Sequence, residues 1–333
     1  MLGVFSETER RTLLNYIKFA PLLVIAASLL WSLDGLLRRH LYSLPPSVIV
    51  FWEHIFGFVL LLPIIIATFK AFKKLTKKQW LSIGLVSFLS GAVGTIAYTA
   101  ALGRVNYISF SVVVLLQQLN PIFAIAAAAA LLRERLNKRF IILSVIALAA
   151  AYVVTFPSLT VNFSTGTGTA VAALFAIGAA ASWGVSTAFS RYALKDTSPL
   201  HVTAARFGFT PLFALAFVWL SGSSGSLGAL TASQWKYIVA ITFSTGLVAL
   251  AIYYYGLKFV LASRAAILEL AWPLSAIFVG YYWLSERLTA TQLAASAVLL
   301  GSIWLIARDK KTLAEAHRTK DKPKLAKAGS AAK

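Results

Sequence analysis

Glu269 and Gln117 occupy equivalent places in two related stretches of sequence, each four residues before a proline, Pro273 and Pro121. Both sit about midway along an apolar run long enough to cross a bilayer. A carboxylate at that depth is costly unless paired, hydrated or used, so Glu269 is a candidate for holding a cation or a proton. The prolines remove one backbone hydrogen bond each and free a carbonyl one turn earlier, which weakens the helix where a ligand can reach it. The pattern predicts a binding site with Gln117, the adjacent Gln118 and Glu269 as its polar groups, and helix hinges at Pro121 and Pro273. A protonated Glu269 hydrogen-bonded to a neighbouring helix is the alternative.

Other ionisable and aromatic residues within apolar runs extend the candidate set. His54 can donate and accept hydrogen bonds and titrates near neutral pH, which suits a cavity or a coupling role. Arg206 either reaches the nearer surface on its aliphatic stem or neutralises a substrate carboxylate. Asp34 and Arg38, one helical turn apart, and Glu53 read as an ion network at helix ends. Trp80, Trp219, Trp235 and Trp304 lie near the ends of runs and read as interfacial belts. Trp31, Trp52, Trp183, Tyr98, Tyr253 and Trp272 lie deeper, where aromatic faces around a carboxylate suit a cationic or aromatic ligand. Of the consecutive Tyr253, Tyr254 and Tyr255, one should face the cavity. The sequence has no phosphate-binding glycine loop, HExxH zinc site or GxSxG elbow, and no cysteine to act as thiolate ligand or nucleophile. No catalytic residue, metal or cofactor is expected, and the chain is read as not an enzyme.

Composition dictates the elements that carry these residues. Of 333 residues, 59% are apolar or aromatic and 13% charged, against about 45–50% and about 25% in soluble domains. Apolar runs of membrane-spanning length recur at 17–37, 47–69, 80–101, 106–131, 140–156, 169–190, 199–220, 235–257, 260–284 and 289–307. Their length, without period-2 alternation, excludes a transmembrane barrel and predicts an all-α integral membrane protein of ten helices. The net charge of +20 then belongs to loops, and no nucleic-acid partner is expected. Lysine and arginine crowd the loops on the side of the two termini, whereas the other side carries only Arg38, Arg39, Arg104, Lys236 and Arg287. Both termini are expected in the cytoplasm and the chain in the plasma (inner) membrane, with a cytoplasmic segment at 1–16 and a basic, disordered tail at 308–333.

The chain also repeats itself. Adding 152 takes Trp31 to Trp183, Arg39 to Arg191, Pro121 to Pro273, Glu134 to Glu286 and Leu136 to Leu288, and adding 155 takes Gln79 to Gln234, Tyr98 to Tyr253 and Leu102 to Leu257. Five spans per unit give the second copy opposite polarity, so the repeat is inverted. The charges agree, since the linker KAFKKLTKKQW is lysine-rich and its counterpart SGSSGSLGALTASQW has no charge at all. Glu134 and Glu286, at the ends of the fourth and ninth spans, read as helix caps or partners of the adjacent arginines.

These features resemble the drug/metabolite transporter superfamily, specifically the ten-helix EamA-domain transporters. The resemblance rests on the Trp-Ser and Trp-Gly pairs of LLWSLDG (Leu29 to Gly35) and ASWGVST (Ala181 to Thr187). It rests equally on NPIFAIAAAAALLRERL (Asn120 to Leu136) and WPLSAIFVGYYWLSERL (Trp272 to Leu288), which share their Pro-to-Glu spacing. It implies two inverted five-helix repeats, 17–156 and 169–307, joined by an external linker at 157–168, around a central cavity that opens alternately to each side. The expected function is secondary transport of small organic metabolites, amino-acid-like or other amphipathic nitrogen compounds, in the direction of efflux and with protons as a candidate coupling ion. Uptake of an organic cation such as a quaternary ammonium compound is the runner-up, and a membrane enzyme or non-transporting assembly factor the rival from another class. The expected partners are a small-molecule substrate and the lipid bilayer, with the protein a monomer or weak dimer.

Overall fold

The computed structural model describes residues 7–104, 113, 116–155, 168–272, 274–275 and 289–309, and every described element is helical. The first half contributes α1 (Glu7–Trp31), α2 (Asp34–Arg38), α3 (Pro46–Ala67), α4 (Lys77–Val86), α5 (Thr95–Leu102), α6 (Asn120–Leu132) and α7 (Lys138–Thr155). The second contributes α8 (Gly168–Ala193), α9 (Pro199–Leu220), α10 (Ala232–Ile241), α11 (Leu247–Leu257), α12 (Ala262–Leu268) and α13 (Ala290–Ala307). Seven described helical stretches are long and apolar enough to cross a membrane, among them Lys77–Leu102 and Ala232–Leu257. Of the other three expected spans, the fifth is α7, and the fourth and ninth are represented by the shorter α6 and α12, with much of their ranges outside the described residues.

The repeat seen in the sequence governs local structure. Thr76 and Thr231 each form a capping box with the glutamine three residues on, Gln79 and Gln234, satisfying the first free N–H groups of α4 and α10. Each glutamine then uses its amide nitrogen to cross to the other half: Gln79 donates to Thr197 at 2.9 Å and Gln234 to Ser43 at 3.0 Å. Both third spans pass through a π-helical stretch, Ser87–Gly94 between α4 and α5 and Thr242–Gly246 between α10 and α11. Packing obeys the same symmetry. Helix α3 packs on α9 and α7 on α13, each with its own counterpart, while α1 against α11 mirrors α8 against α5 and α1 against α12 mirrors α8 against α6.

Close helix approach depends on small residues, as expected where lipid supplies no hydrophobic drive between helices. A Cβ built on Gly184 of α8 would lie 2.6 Å from the Asn120 carbonyl oxygen and 2.9 Å from the Ala124 nitrogen of α6. One built on Gly256 of α11 would lie 2.7 Å from the Ala20 carbonyl oxygen of α1. At the end of α6, Arg133 takes a left-handed φ of 54° and turns Glu134 across to the second half. There its carboxylate accepts from Ala262 N at 2.8 Å, Ser263 N at 3.0 Å and Ser263 Oγ at 2.6 Å, capping α12. The expected cap thus forms on a helix of the opposite repeat. Glu286 lies outside the described residues.

Because the atoms facing Gly184 and Gly256 are backbone, Gly184→Ala and Gly256→Ala should each lower stability by about 1–3 kcal/mol, the usual cost of overpacking. Gly178→Ala, where nothing lies within 4 Å of the added carbon, should leave the thermal midpoint in detergent unchanged or raised. Equal midpoints for all three variants would contradict the packing described.

Candidate functional site

Between the two halves lies a cavity of about 190 Å³, several times a water molecule's share of liquid volume, about 30 Å³. Its walls come from the first, second and third spans of both repeats and from the broken fourth and ninth. The breaks are where the candidate amides and carboxylate sit. Gln117 closes the helical stretch before α6, Gln118 lies in the turn between, and Pro121 occupies the first turn of α6, where its missing N–H breaks no helical bond. Glu269 is the residue that ends α12, followed by 3₁₀-type bonds from Leu270 N to Ile267 O and from Trp272 N to Glu269 O. The expected kink at Pro121 is therefore an interruption of the helix, a device that places backbone and polar side chains beside a cavity.

The tryptophans of the repeat signature lock the π-helical stretches of the opposite halves. Trp31 of α1 donates its indole N–H to the Thr245 carbonyl at 2.9 Å, and Trp183 of α8 donates to the Ser90 carbonyl at 3.1 Å. Ser90 and Thr245 are themselves related by the 155-residue offset. Each indole then rests against a tyrosine, Trp31 on Tyr253 with ring centroids 5.0 Å apart and Trp183 on Tyr98 at 5.3 Å. With their N–H groups engaged, these tryptophans offer a ligand only their ring surfaces.

Charge is distributed unevenly. Arg38 bonds Asp34 through Nε, Glu53 through Nη2 at 2.7 Å and Thr99 through Nη1 at 3.3 Å, and Thr245 Oγ1 donates to the other Asp34 oxygen at 2.6 Å. All three ionic residues are at most 8% exposed, so this is a buried, mutually satisfied cluster on the cavity wall and not an interfacial network. Arg206 does not extend to a surface but donates to the Tyr254 hydroxyl at 3.0 Å and the Ser90 hydroxyl at 2.8 Å. Glu269 accepts from the Tyr253 hydroxyl at 2.7 Å and from Asn120 Nδ2 at 3.5 Å. His54, with Nδ1 2.9 Å from the Val50 carbonyl, holds its ring against Phe207.

Of the residues singled out in the sequence, Trp31, His54, Tyr98, Gln117, Gln118, Pro121, Trp183, Arg206, Tyr253, Glu269 and Trp272 line this cavity. Trp52 does not: its indole donates to the Leu227 carbonyl at 3.1 Å and packs edge-on against Trp235, at the end of the bundle. Pro273 lies outside the described residues. Tyr253 and Tyr254 both reach the wall where one tyrosine was expected. Asp34, Arg38, Glu53, Asn120 and Ser186 were not read as cavity residues. The 152-residue offset carries Asp34 to Ser186, and that equivalence was the signal available for Ser186. No group of three or more histidine, aspartate or glutamate side chains is placed to hold a metal among the described residues.

The EamA-like transporter family matches residues 18–156 and 170–308. The riboflavin transporter ImpX of Fusobacterium nucleatum is 32% identical over 302 residues, covering 88% of this chain and 99% of that protein. An uncharacterised transporter of Archaeoglobus fulgidus is 24% identical across 78% of this chain and 86% of its own length. A solved crystal structure superimposes with a TM-score of 0.67 at 20% identity, covering 87% of this chain and 97% of the other, a likeness of fold.

The indole bonds yield an asymmetric expectation. Ser90 O also accepts from Thr95 Oγ1 at 2.9 Å, whereas among the described residues Trp31 alone donates a side-chain hydrogen bond to Thr245 O. Trp31→Phe keeps the ring and strands the carbonyl, which should cost about 1–3 kcal/mol. Trp183→Phe should cost less. Thermal unfolding of the two variants side by side checks the order, and a larger loss for Trp183→Phe would refute this account of the locks.

Proposed function

The chain belongs to the EamA-like transporter family, and on that premise we propose that it carries an amphipathic nitrogen heterocycle across the membrane by alternating access, with the central cavity as its binding site. It is a multi-pass membrane transporter. The observation that carries the substrate class is the pair of indole–tyrosine contacts, Trp31 with Tyr253 and Trp183 with Tyr98, in a cavity that also presents hydrogen-bonding groups. Flat ring faces with a few convergent polar groups suit a planar heteroaromatic molecule. The relative named for riboflavin, matched over nearly its whole length, supports that class and makes riboflavin the first compound to try.

Other members of the expected class make different demands. An amino-acid-like substrate would use Arg206 and Glu269 as opposite poles, and an organic cation would use Glu269 with the aromatic faces alone. The first leaves both ring pairs unused, and the second leaves the Arg206 guanidinium and the cavity amides unused. A coupling proton would ride on Glu269, where desolvation and the hydrogen bonds from Tyr253 and Asn120 compete. Direction follows from the gradients imposed on a secondary carrier, so the efflux expected from the family is a property of the cell as much as of the fold. We further propose the inner-membrane placement with both termini cytoplasmic, on the distribution of lysine and arginine.

In vesicles reconstituted with the purified chain, trapped unlabelled riboflavin should drive saturable counterflow of labelled riboflavin. Other nitrogen heteroaromatics should compete, whereas leucine and choline should not. Competition by choline or leucine without riboflavin flux would replace the heterocycle with an organic cation or an amino acid. Orientation is read separately, since the native chain has no cysteine. A cysteine at Ser224 should react with an impermeant reagent on intact cells and one at Thr76 should not, and the reverse pattern would invert the topology.

A further inference from the structure

The first half of the bundle neutralises its buried guanidinium, and the second half does not. Arg38 is met by the carboxylates of Asp34 and Glu53. In the second repeat the first span, 152 residues on, has Ser186 for Asp34 and Ser190 for Arg38, and the second span, which starts at Pro199 where the first half has Pro46, has Arg206 for Glu53. The second half therefore keeps neither acid, and it carries its guanidinium at a different position, on α9. The polar node that the two guanidiniums reach is nonetheless equivalent, because Arg38 bonds Thr99 and Arg206 bonds Tyr254, related by 155 residues.

Arg206 is 9% exposed, lines the cavity, and finds only neutral partners. Its Nε has none, and no carboxylate stands within ion-pair distance of it among the described residues. Two further donors among the cavity-lining residues are buried without a partner, Ser186 Oγ, on a residue 2% exposed, and Gln117 Nε2, on one 8% exposed, and the acceptor Asn120 Oδ1 is likewise unmatched. A buried cation without a counter-ion is a strained arrangement unless something that enters the cavity supplies the charge. Glu269 is not that partner, being held by Tyr253 and Asn120. Tyr253 and Tyr254 are consecutive in α11 and diverge by about 100° around the helix, so the carboxylate and the guanidinium are served from different faces of α11. His54, the other titratable group near Arg206, points Nδ1 at the Val50 carbonyl.

Resting on the transporter reading above, we propose that Arg206, with Ser186 and Gln117 as further donors, receives an anionic oxygen group of the substrate, a carboxylate or a phosphate, so that the cargo is an anionic nitrogen heterocycle. The guanidinium fork matches either group in two parallel hydrogen bonds. The incoming anion does for Arg206 what Asp34 and Glu53 do for Arg38. The heterocycle then lies toward the indole and tyrosine faces, with its ring N–H groups available to Glu269.

The test uses matched probes on the purified full chain in lipid nanodiscs. Riboflavin 5′-phosphate against riboflavin forms the phosphate arm, and pterin-6-carboxylate against pterin-6-carboxamide the carboxylate arm. In at least one arm the anion should bind at least tenfold more tightly than its neutral partner, and the arm that shows the preference identifies the group. Arg206→Gln should bring that preference within twofold, and Arg206→Lys should keep part of it. Ser186→Asp, which restores the acid of the first half, should pair Arg206 internally and abolish the preference, and it carries the test should Arg206→Gln not yield monodisperse protein. Equal binding of anion and neutral partner by the wild type in both arms, or a preference that survives Arg206→Gln or Ser186→Asp, overturns the anion receptor while the heterocycle reading stands. Failure of all four probes to bind overturns the heterocycle reading itself, and this proposal with it.

Discussion

The hydrogen bond from an indole N–H to a carbonyl in a π-helical stretch, made once in each direction between the halves, is the interaction that the rest of the architecture depends on. A π turn misaligns the helical hydrogen-bond ladder and leaves carbonyls in need of another donor. In hydrocarbon no water serves that need. Trp31 and Trp183 meet it from the opposite repeat, and in doing so they fix the distance between the halves and turn their ring faces to the cavity. The same stretches hold Thr245 against Asp34 and Ser90 against Arg206. One local irregularity, tied across the interface, thereby sets the positions of the aromatic walls and of both charged clusters.

The arrangement of charge follows from this frame and not from the membrane's surfaces. Asp34, Arg38 and Glu53 surround one another deep in the bundle, with both Asp34 oxygens and Glu53 Oε2 engaged by the guanidinium or by a hydroxyl. Such a cluster is more costly to break than to build, since removing one member strands the others. Its counterpart in the second half keeps neither acid and carries its guanidinium on the second span, as Arg206, and that departure is where the cavity acquires its unmatched charge. A duplicated fold gains a specific site by editing one copy.

Much of this was legible in the sequence, for stated physical reasons. Long hydrophobic runs report the bilayer directly, so a multi-span helical chain with two matched halves could be read from residues alone. The 152-residue offset placed Gln117 and Glu269 at matching depths, and both do fall in matching interruptions of their helices. What the sequence withheld depends on rotation about a helix axis. Trp52 and His54 are two residues apart, so they point to different sides, and only His54 reaches the cavity. Tyr253 and Tyr254 both line it because the cavity spans more than one face of α11. The π-helical stretches carry no unambiguous residue signature beyond their glycines, and the depth of Asp34 and Arg38 depends on how far α2 tucks between its neighbours.

The reciprocal indole bonds also bear on how the chain is made. Trp31 leaves the ribosome more than two hundred residues before the carbonyl it will bind, Thr245. Ser90 likewise waits for Trp183. The first five helices therefore enter the bilayer with an indole donor unspent and a π-turn carbonyl served by Thr95 alone, and close contact with a second such set, supplied by the later helices, completes each pair. An insertion intermediate of this kind needs shelter at the translocation machinery or from another chain until synthesis ends. Because the missing partners are supplied by an equivalent five-helix unit, two copies of an ancestral half would have satisfied them mutually. The bonds that delay maturation of the single chain are those that would have held such a dimer together.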